Sequence, residues 1–540
     1  MNNVNLTSLP LDSSDFETLR KLNQIYVDKT DLIFEFAQND APIFLSRPRR
    51  FGKSLLVSTI KSLFEHGLEY FDGLKISKLW NDTTYPVLYL NFSDFEESDY
   101  DFFFDSFLME IKDFIQNNNI KINENIDKIT HPVKLFKKAV RSSDKPIVIL
   151  IDEYDCQLTH NLNNPELYEQ FRSLICSFFL SVKANRKKIR FIFITGITRH
   201  SNTNIFSGLN NLTDITTFPQ YGTLVGFTEE EINHYFAPFI ENAAKQLDTS
   251  IENIKAELKN NYDGFCFDEL IETHVYNPWS VIKFFYNSKI GFKSYWVDSG
   301  FSSLVVTYFK SKSKEKNNLD IFRILNAPIN LYEEDISSNV KIIDAKPESI
   351  LYQAGFLTLN EKQVFGFKAT VPNFEVRKAL SSKFFNMIND SKEVFIDNLD
   401  GSFKALLEEG LSTLNIEKIM EGFQCILNNF RPGTNIFAKE IHICDAISGF
   451  VHFLDAIVKR EDPQLLGDSD LIIYYKNTRY LFEFKIAKDE SKAPNKLNEA
   501  INQIQEKKYG KNSEPTKLYR FGVVFNLEKR VFCLGKFIEE

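Results

Sequence analysis

Four runs in the first half of the chain are apolar from end to end: "APIFLS" (Ala41–Ser46), "PVLYLNF" (Pro86–Phe92), "PIVILID" (Pro146–Asp152) and "IRFIFITGI" (Ile189–Ile197). A strand with one wet face alternates polar and apolar residues, and these do not alternate. Both faces must be covered, which is the condition of a parallel sheet between two layers of helix. The intervening segments supply those helices: "SLLVSTIKSLFEHGL" after the first run, then stretches from about Phe102 to Gln116, Val133 to Val140 and Leu167 to Val182 carry apolar residues at helical spacing. The pattern predicts an α/β fold with a parallel-sheet domain.

At 540 residues the chain exceeds one ordinary core. Three regions are expected: a sheet domain over 1–235, a mostly helical lid or connector over 236–400 broken by "YNPWS" and "VPNFEV", and an α/β domain over 401–540. The net charge of −9 excludes a protein coated in basic charge, though not a local basic groove. The run "KSKSKEKNN" (Lys310–Asn318) reads as an exposed loop. Six scattered cysteines without CxxC spacing argue against structural zinc and a disulfide framework. No apolar run is long enough to span a bilayer, and the N-terminus lacks signal-peptide regions. A reduced, cytoplasmic protein without a membrane partner is the expectation.

The first apolar run leads into "LSRPRRFGKSLL" (Leu45–Leu56). A strand, a tight loop and a helix whose N-terminus faces the loop make a phosphate cradle. Gly52 allows close backbone approach, Lys53 reaches the β- and γ-phosphates, and Ser54 holds Mg²⁺. Arg50, Phe51 and Leu55 complete the cradle. Arg47 stands where the phosphate-loop motif has its first glycine, so a basic surface turn is the competing reading of this stretch alone. About a hundred residues on, "PIVILIDEYD" ends in Asp152, placed to bind Mg²⁺, and Glu153, placed to polarise water as a general base. "FIFITGITRHS" ends a further buried strand at Thr195, suited to orienting water, with Arg199 beyond it suited to sensing phosphate charge; ordinary loop roles explain each equally well. His200 reads as structural. Tyr26, Asp28 and Lys29 offer base or ribose contacts, or packing, and Trp279 after Pro278 reads first as a buried residue.

A second chemistry is written in "GDSDLIIYYKNTRYLFEFKIAK" (Gly467–Lys488). With a two-residue turn at Asn477-Thr478, Tyr475 faces Tyr480, Ile472 lies opposite Glu483 and Asp470 opposite Lys485. Residues two apart share a sheet face, so Asp470, Glu483 and Lys485 converge on one face. Two carboxylates suit Mg²⁺, with Mn²⁺ an alternative, and the lysine stabilises developing charge or activates water.

The ordered series "YVDKTDLI", "FLSRPRRFGKSLL", "LIDEYD", "TGITRHS", "LVGFTEEEI", "NYDGFCFDE", "VYNPWSV", "YQAGFLTL" and "VPNFEVR" resembles the bacterial AAA-ATPase-like family, whose members often carry a C-terminal PD-(D/E)xK nuclease domain. The resemblance spans nearly the whole chain, and in that family "RPRRFGKS" is the usual phosphate loop. It implies ATP and Mg²⁺ as ligands, nucleic acid, DNA foremost, as substrate, and a homo-oligomer among the partners. It adds Glu440 to the nuclease metal site, and Gln503, Lys507 and Tyr509 of the following helix as residues orienting metal, water or phosphate. Asp468 departs from it, standing where many relatives have a basic residue. The function implied is an ATPase coupled to a metal-dependent nuclease. The alternative is a nucleotide-dependent switch or scaffold whose C-terminal domain binds nucleic acid or a protein without cutting.

Overall fold

The computed structural model describes the chain apart from residues 1–5, 12, 40, 96–98, 200–204, 210, 297–303, 306–307, 309–327, 338–343, 389–401, 429–438, 452–453, 455, 465–466, 477, 507–516 and 539–540. The loop expected at Lys310–Asn318, His200, Lys507 and Tyr509 therefore lie outside the described residues, as does the Asp468 side chain. Two compact units emerge, one formed by residues 1–314 and 330–376, the other by 315–329 and 377–540. The segment read as a connector, 236–400, divides between them, with 236–314 and 330–376 in the first unit and 315–329 and 377–400 in the second.

The first unit is built on five strands: β1 (Ile43–Ser46), β2 (Val87–Asn91), β3 (Ile147–Asp152), β4 (Ile189–Gly196) and β5 (Thr213–Asp214), in the order β2-β3-β4-β1-β5. Every pairing is parallel. All six residues of β3 are buried, as the uniformly apolar sequence requires. Helices Tyr100–Asn117, Pro132–Ser142 and Pro165–Ala184 pack on the sheet. The first of these starts at Asp99, whose carboxylate accepts from the amides of Asp101 and Phe102, and buries Phe103, Phe107, Ile111, Phe114 and Ile115 along one stripe. Phenylalanine fills this layer: Phe103 meets Phe171 edge-on at 5.1 Å and Phe107 meets Phe178 at 5.2 Å between ring centroids.

This strand order sets the C-terminal ends of β1, β4 and β3 side by side, with Leu45 paired to Thr195 and Ile151 to Ile194. Ligands of open α/β sheets bind at such strand ends. Helices then follow at Glu229–Tyr235, Ala237–Gln246, Ile251–Tyr262 and Pro278–Tyr286, and after them comes a small sheet that the helical pattern did not disclose: β6 (Ile329–Leu331), β7 (Thr358–Gln363) and β8 (Gly366–Thr370), in the order β6-β8-β7.

The second unit carries a mixed sheet of β9 (Ile457–Gln464), β10 (Gly467–Tyr475), β11 (Thr478–Ala487), β12 (Lys517–Asn526) and β13 (Val531–Ile538), ordered β13-β12-β11-β10-β9. Only β11 and β12 pair in parallel, and the helix Ala493–Glu506 is their crossover. Its Ile504 packs on Ile472 and Leu481 of the sheet. Among the described residues no helix is long and apolar enough to cross a membrane, and all six cysteines are free thiols.

Candidate functional site

The loop leaving β1 turns twice through left-handed backbone, at Arg50 (φ 68°) and Gly52 (φ 92°). A Cβ at Gly52 would meet nothing within 4 Å, so it is the backbone conformation that favours glycine there. The helix Lys53–His66 begins immediately after it. Lys53 is buried, and its Nζ donates to the carbonyls of Arg47 (3.0 Å) and Pro48 (2.9 Å). Burial pushes its pKa down, opposed by the charges of Glu153, Asp152 and Asp155.

Asp152 ends β3 fully buried. Its Oδ1 accepts from the Glu153 amide at 3.0 Å, and its Oδ2 has no hydrogen-bond partner among the described residues. Burial pushes its pKa up to about 6 against the pull of Ser54 and Lys53. Glu153 follows with φ 48°, a sparsely populated conformation for a residue with a side chain. On the adjacent strand Thr195 is fully buried, and its hydroxyl also lacks a partner among the described residues.

These elements border a cavity of about 640 Å³. Arg50, Phe51, Gly52, Lys53, Ser54, Leu55 and Glu153 line it, so most of the residues named from the motif come together. Also lining it are the apolar Ile25, Val27, Val225 and Phe227, together with Tyr26, Lys29, Pro278 and Trp279. The Phe51 ring packs edge-on against Phe265 (4.7 Å) and Phe267 (5.1 Å). Asp28 is not among the lining residues: its carboxylate caps Thr30 and accepts from the Lys75 amide. Arg199 is engaged elsewhere, by Asp214 at 2.7 Å and the Ile336 carbonyl at 3.1 Å.

Three features escaped the sequence. Arg47, in the position of the missing glycine, points inward at 1% exposure. It donates to the carbonyls of Ser46 (2.9 Å), Thr216 (2.6 Å) and Tyr221 (3.1 Å) and lies over the Phe267 ring at 4.4 Å. Asp155, the last residue of "DEYD", accepts from the amides of Ile197 and Thr198 and so ties the end of β3 to the loop after Thr195. The connector also brackets the loop: Trp296 Nε1 donates to the Arg49 carbonyl at 3.1 Å, and Gly355 lies so close to Pro48 that a Cβ there would come within 2.6 Å. The aromatic and glycine spacing of "NYDGFCFDE" and "YQAGF" is the trace these contacts leave in the sequence.

In the second unit, β10 and β11 close with Tyr475 opposite Thr478 and Ile472 opposite Leu481. The chain therefore reverses between Tyr475 and Thr478, with Lys476 left-handed (φ 45°), and Thr478, expected in the turn, belongs to the ladder. The expected pairings of Tyr475 with Tyr480, Ile472 with Glu483 and Asp470 with Lys485 are each displaced by two residues. An even displacement keeps every side chain on its face. Continued one step, the observed register sets Asp470 beside Glu483. Glu483 is fully buried; its Oε1 accepts from Lys485 Nζ at 2.8 Å. Asp470 Oδ2 accepts from the Phe484 amide at 2.8 Å, and Glu440 Oε1, at the start of the helix Glu440–Val451, accepts from the Ile486 amide at 3.0 Å. Lys485 Nζ lies 3.8 Å from Glu440 Oε2. Burial opposes the Lys485 charge, yet the bond to Glu483 and the charges of Glu440 and Asp470 outweigh it, so its pKa is raised. Gln503 lies on the crossover helix.

Residues 10–206 match a family model described as a predicted AAA-ATPase, and residues 439–534 match one described as the PD-(D/E)XK nuclease superfamily. The chain joins an AAA-ATPase-like domain to a PD-(D/E)XK nuclease superfamily domain. It is also similar, with 26% identity over 543 residues and 97% of each chain covered, to a protein of Azotobacter chroococcum mcd 1 named "Uncharacterized protein in vnfD 5'region". In the AAA-ATPase-like domain, the Ser54 hydroxyl in the first turn of the helix Lys53–His66 and the Asp152 carboxylate at the end of β3, whose Oδ2 has no partner among the described residues, are oxygen donors of the kind a hard cation takes. In the nuclease-like domain no cluster of three or more metal-binding side chains occurs among the described residues. Asp470 and Glu483 remain a two-carboxylate set, which is what Mg²⁺ commonly takes before substrate phosphates complete its shell.

Proposed function

We propose that the N-terminal unit binds and hydrolyses ATP and that its nucleotide state governs a metal-dependent nuclease in the C-terminal unit. The observation that supports this best is the meeting of Lys53, Ser54 and Glu153 around one cavity, with Asp152 and its unpartnered Oδ2 buried at the end of the adjoining strand. Lys53, now held by two loop carbonyls, exchanges them for the β- and γ-phosphates. Ser54 and Asp152 are the residues that would hold Mg²⁺. Glu153 takes the proton of the attacking water, and Thr195 offers its hydroxyl to orient that water. Bound Mg²⁺, here and at Asp470 and Glu483, supplies charge neutralisation for phosphoryl oxygens. In the nuclease-like domain Lys485 stabilises charge on the scissile phosphate, and Glu440 keeps it oriented.

The second reading, a nucleotide-dependent scaffold whose C-terminal domain binds without cutting, draws on one observation: Lys485 already contacts two carboxylates. Calorimetry with ATP and Mg²⁺, together with phosphate release, tests the first domain. Glu153→Gln should retain ATP binding and lose turnover, and Lys53→Ala should lose binding. If neither change affects phosphate release, the site assignment is wrong. Mg²⁺- or Mn²⁺-dependent cleavage that is lost in Glu483→Gln separates the two readings of the second domain.

A further inference from the structure

The phosphate loop carries three arginines, and the structure gives them three different fates. Arg47 is spent on carbonyls and on Phe267. Arg50 lies over the Trp279 ring at 4.4 Å. Arg49 lines the cavity beside Lys53, Ser54 and Glu153. Among the described residues no hydrogen bond or ion pair holds its guanidinium, and its Nε is buried without a partner. Elsewhere in this unit guanidinium groups are tied down, as Arg190 is by Asp82 and Arg199 by Asp214. Glu153 borders the same cavity, yet it forms no ion pair with Arg49. A cation and a carboxylate facing one cavity without pairing leave room for an anion and a water between them.

The backbone that carries Arg49 is held on both sides. Trp296 Nε1 holds the Arg49 carbonyl, Gly355 abuts Pro48 on one side, and Phe51 is clamped between Phe265 and Phe267 on the other. Its charge reaches Lys53, which it helps to push down in pKa.

We propose that Arg49 is a further catalytic residue of this site, donating to the γ-phosphoryl oxygens as charge develops on them; the inference rests on the ATP-hydrolysis reading above. In the step, the water oxygen forms a bond to the γ-phosphorus while the bond from that phosphorus to the β–γ bridging oxygen breaks. ADP leaves with the electron pair, Glu153 takes the proton of the water, and the products are ADP and inorganic phosphate. Arg49 transfers no proton. It supplies positive charge from within the same chain, where many nucleoside triphosphatases take it from a partner.

The test uses the full-length chain as wild type, Arg49→Ala, Arg49→Lys and Lys53→Ala. Readouts are steady-state phosphate release, ADP binding with Mg²⁺, and trapping of ADP with aluminium fluoride, a mimic of the transferring phosphoryl group. Arg49→Ala should lose about 10³-fold in kcat, while ADP affinity changes less than about threefold because ADP lacks the group Arg49 contacts. Trapping should fail in Arg49→Ala, millimolar guanidinium should restore part of its turnover, and Arg49→Lys should fall between. Wild-type turnover in Arg49→Ala, or a loss of ADP binding as large as the loss of kcat with no guanidinium rescue, overturns the proposal. If Lys53→Ala abolishes turnover and Arg49→Ala does not, only Arg49's role falls. If the wild type neither binds nor hydrolyses ATP, the underlying reading falls with it.

Discussion

Arg47→Gly would restore the first glycine of the phosphate-loop motif, and the structure predicts that it damages the domain. The side chain makes two long-range hydrogen bonds, to the buried carbonyls of Thr216 and Tyr221, which the substitution leaves without that donor. Bonds from a charged donor contribute about 1.5–3 kcal/mol each, so together about 3–6 kcal/mol. The desolvated contact with Phe267 adds about 2 kcal/mol. Against this, burial drives the Arg47 pKa from 12.5 to about 10, and removing the charge recovers about 3 kcal/mol. The net loss is about 2–5 kcal/mol. All three tryptophans, Trp80, Trp279 and Trp296, belong to the first unit, so tryptophan fluorescence in a thermal or guanidinium melt reports on that unit selectively. Arg47→Lys should recover only part of the loss, because an ammonium cannot span the same carbonyls. Unfolding within about 0.5 kcal/mol of wild type in Arg47→Gly would mean that the buried guanidinium does not hold this loop.

Gly355→Ala places a side chain at φ 85° and within 2.6 Å of Pro48, so it should cost about 1–3 kcal/mol and weaken ATP binding measured by calorimetry. Burial raises the Asp152 pKa to about 6 in the folded chain, above the ordinary aspartate value of 3.8; its stability contribution is full below the lower value and lost as pH rises through the higher one. Without divalent metal, Asp152→Asn should therefore be more stable than wild type at pH 8, by up to about 3 kcal/mol, with the advantage gone near pH 4 in tryptophan-monitored melts. Lys485→Ala leaves the fully buried Glu483 without its ammonium partner and should destabilise the second unit by about 3–5 kcal/mol. Adding Glu483→Gln should return much of that, which hydrogen exchange at β11 amides would show as restored protection.

The parts of the fold legible in sequence were those where burial is nearly complete. β3 and β4 read as strands because apolar residues fill all but a few of their positions, and the helix predicted from about Phe102 to Gln116 runs from Tyr100 to Asn117. The strands that went unread in the second unit are its two edges. β9 reads "IVKREDPQ", with charges and a proline, as edge strands do, and that composition erases the strand signal. The convergence of Asp470, Glu483 and Lys485 survived a wrong turn because side-chain face depends on parity, whereas the exact partner depends on turn chemistry that two adjacent dipeptides satisfy about equally. Arg47 was illegible for another reason. Its carbonyl partners lie about 170 residues away, at Thr216 and Tyr221, and nothing local distinguishes an arginine that folds inward from its neighbour Arg49, which lines the cavity.

The most direct test of the central claim is cleavage of plasmid and single-stranded DNA by the full-length protein with Mg²⁺ or Mn²⁺, with and without ATP, beside Lys53→Ala and Glu483→Ala. Metal-dependent cutting is expected, abolished by Glu483→Ala and altered by ATP in the wild type but not in Lys53→Ala. ATP hydrolysis with no cleavage under either metal would contradict it and leave the C-terminal domain as a binding module.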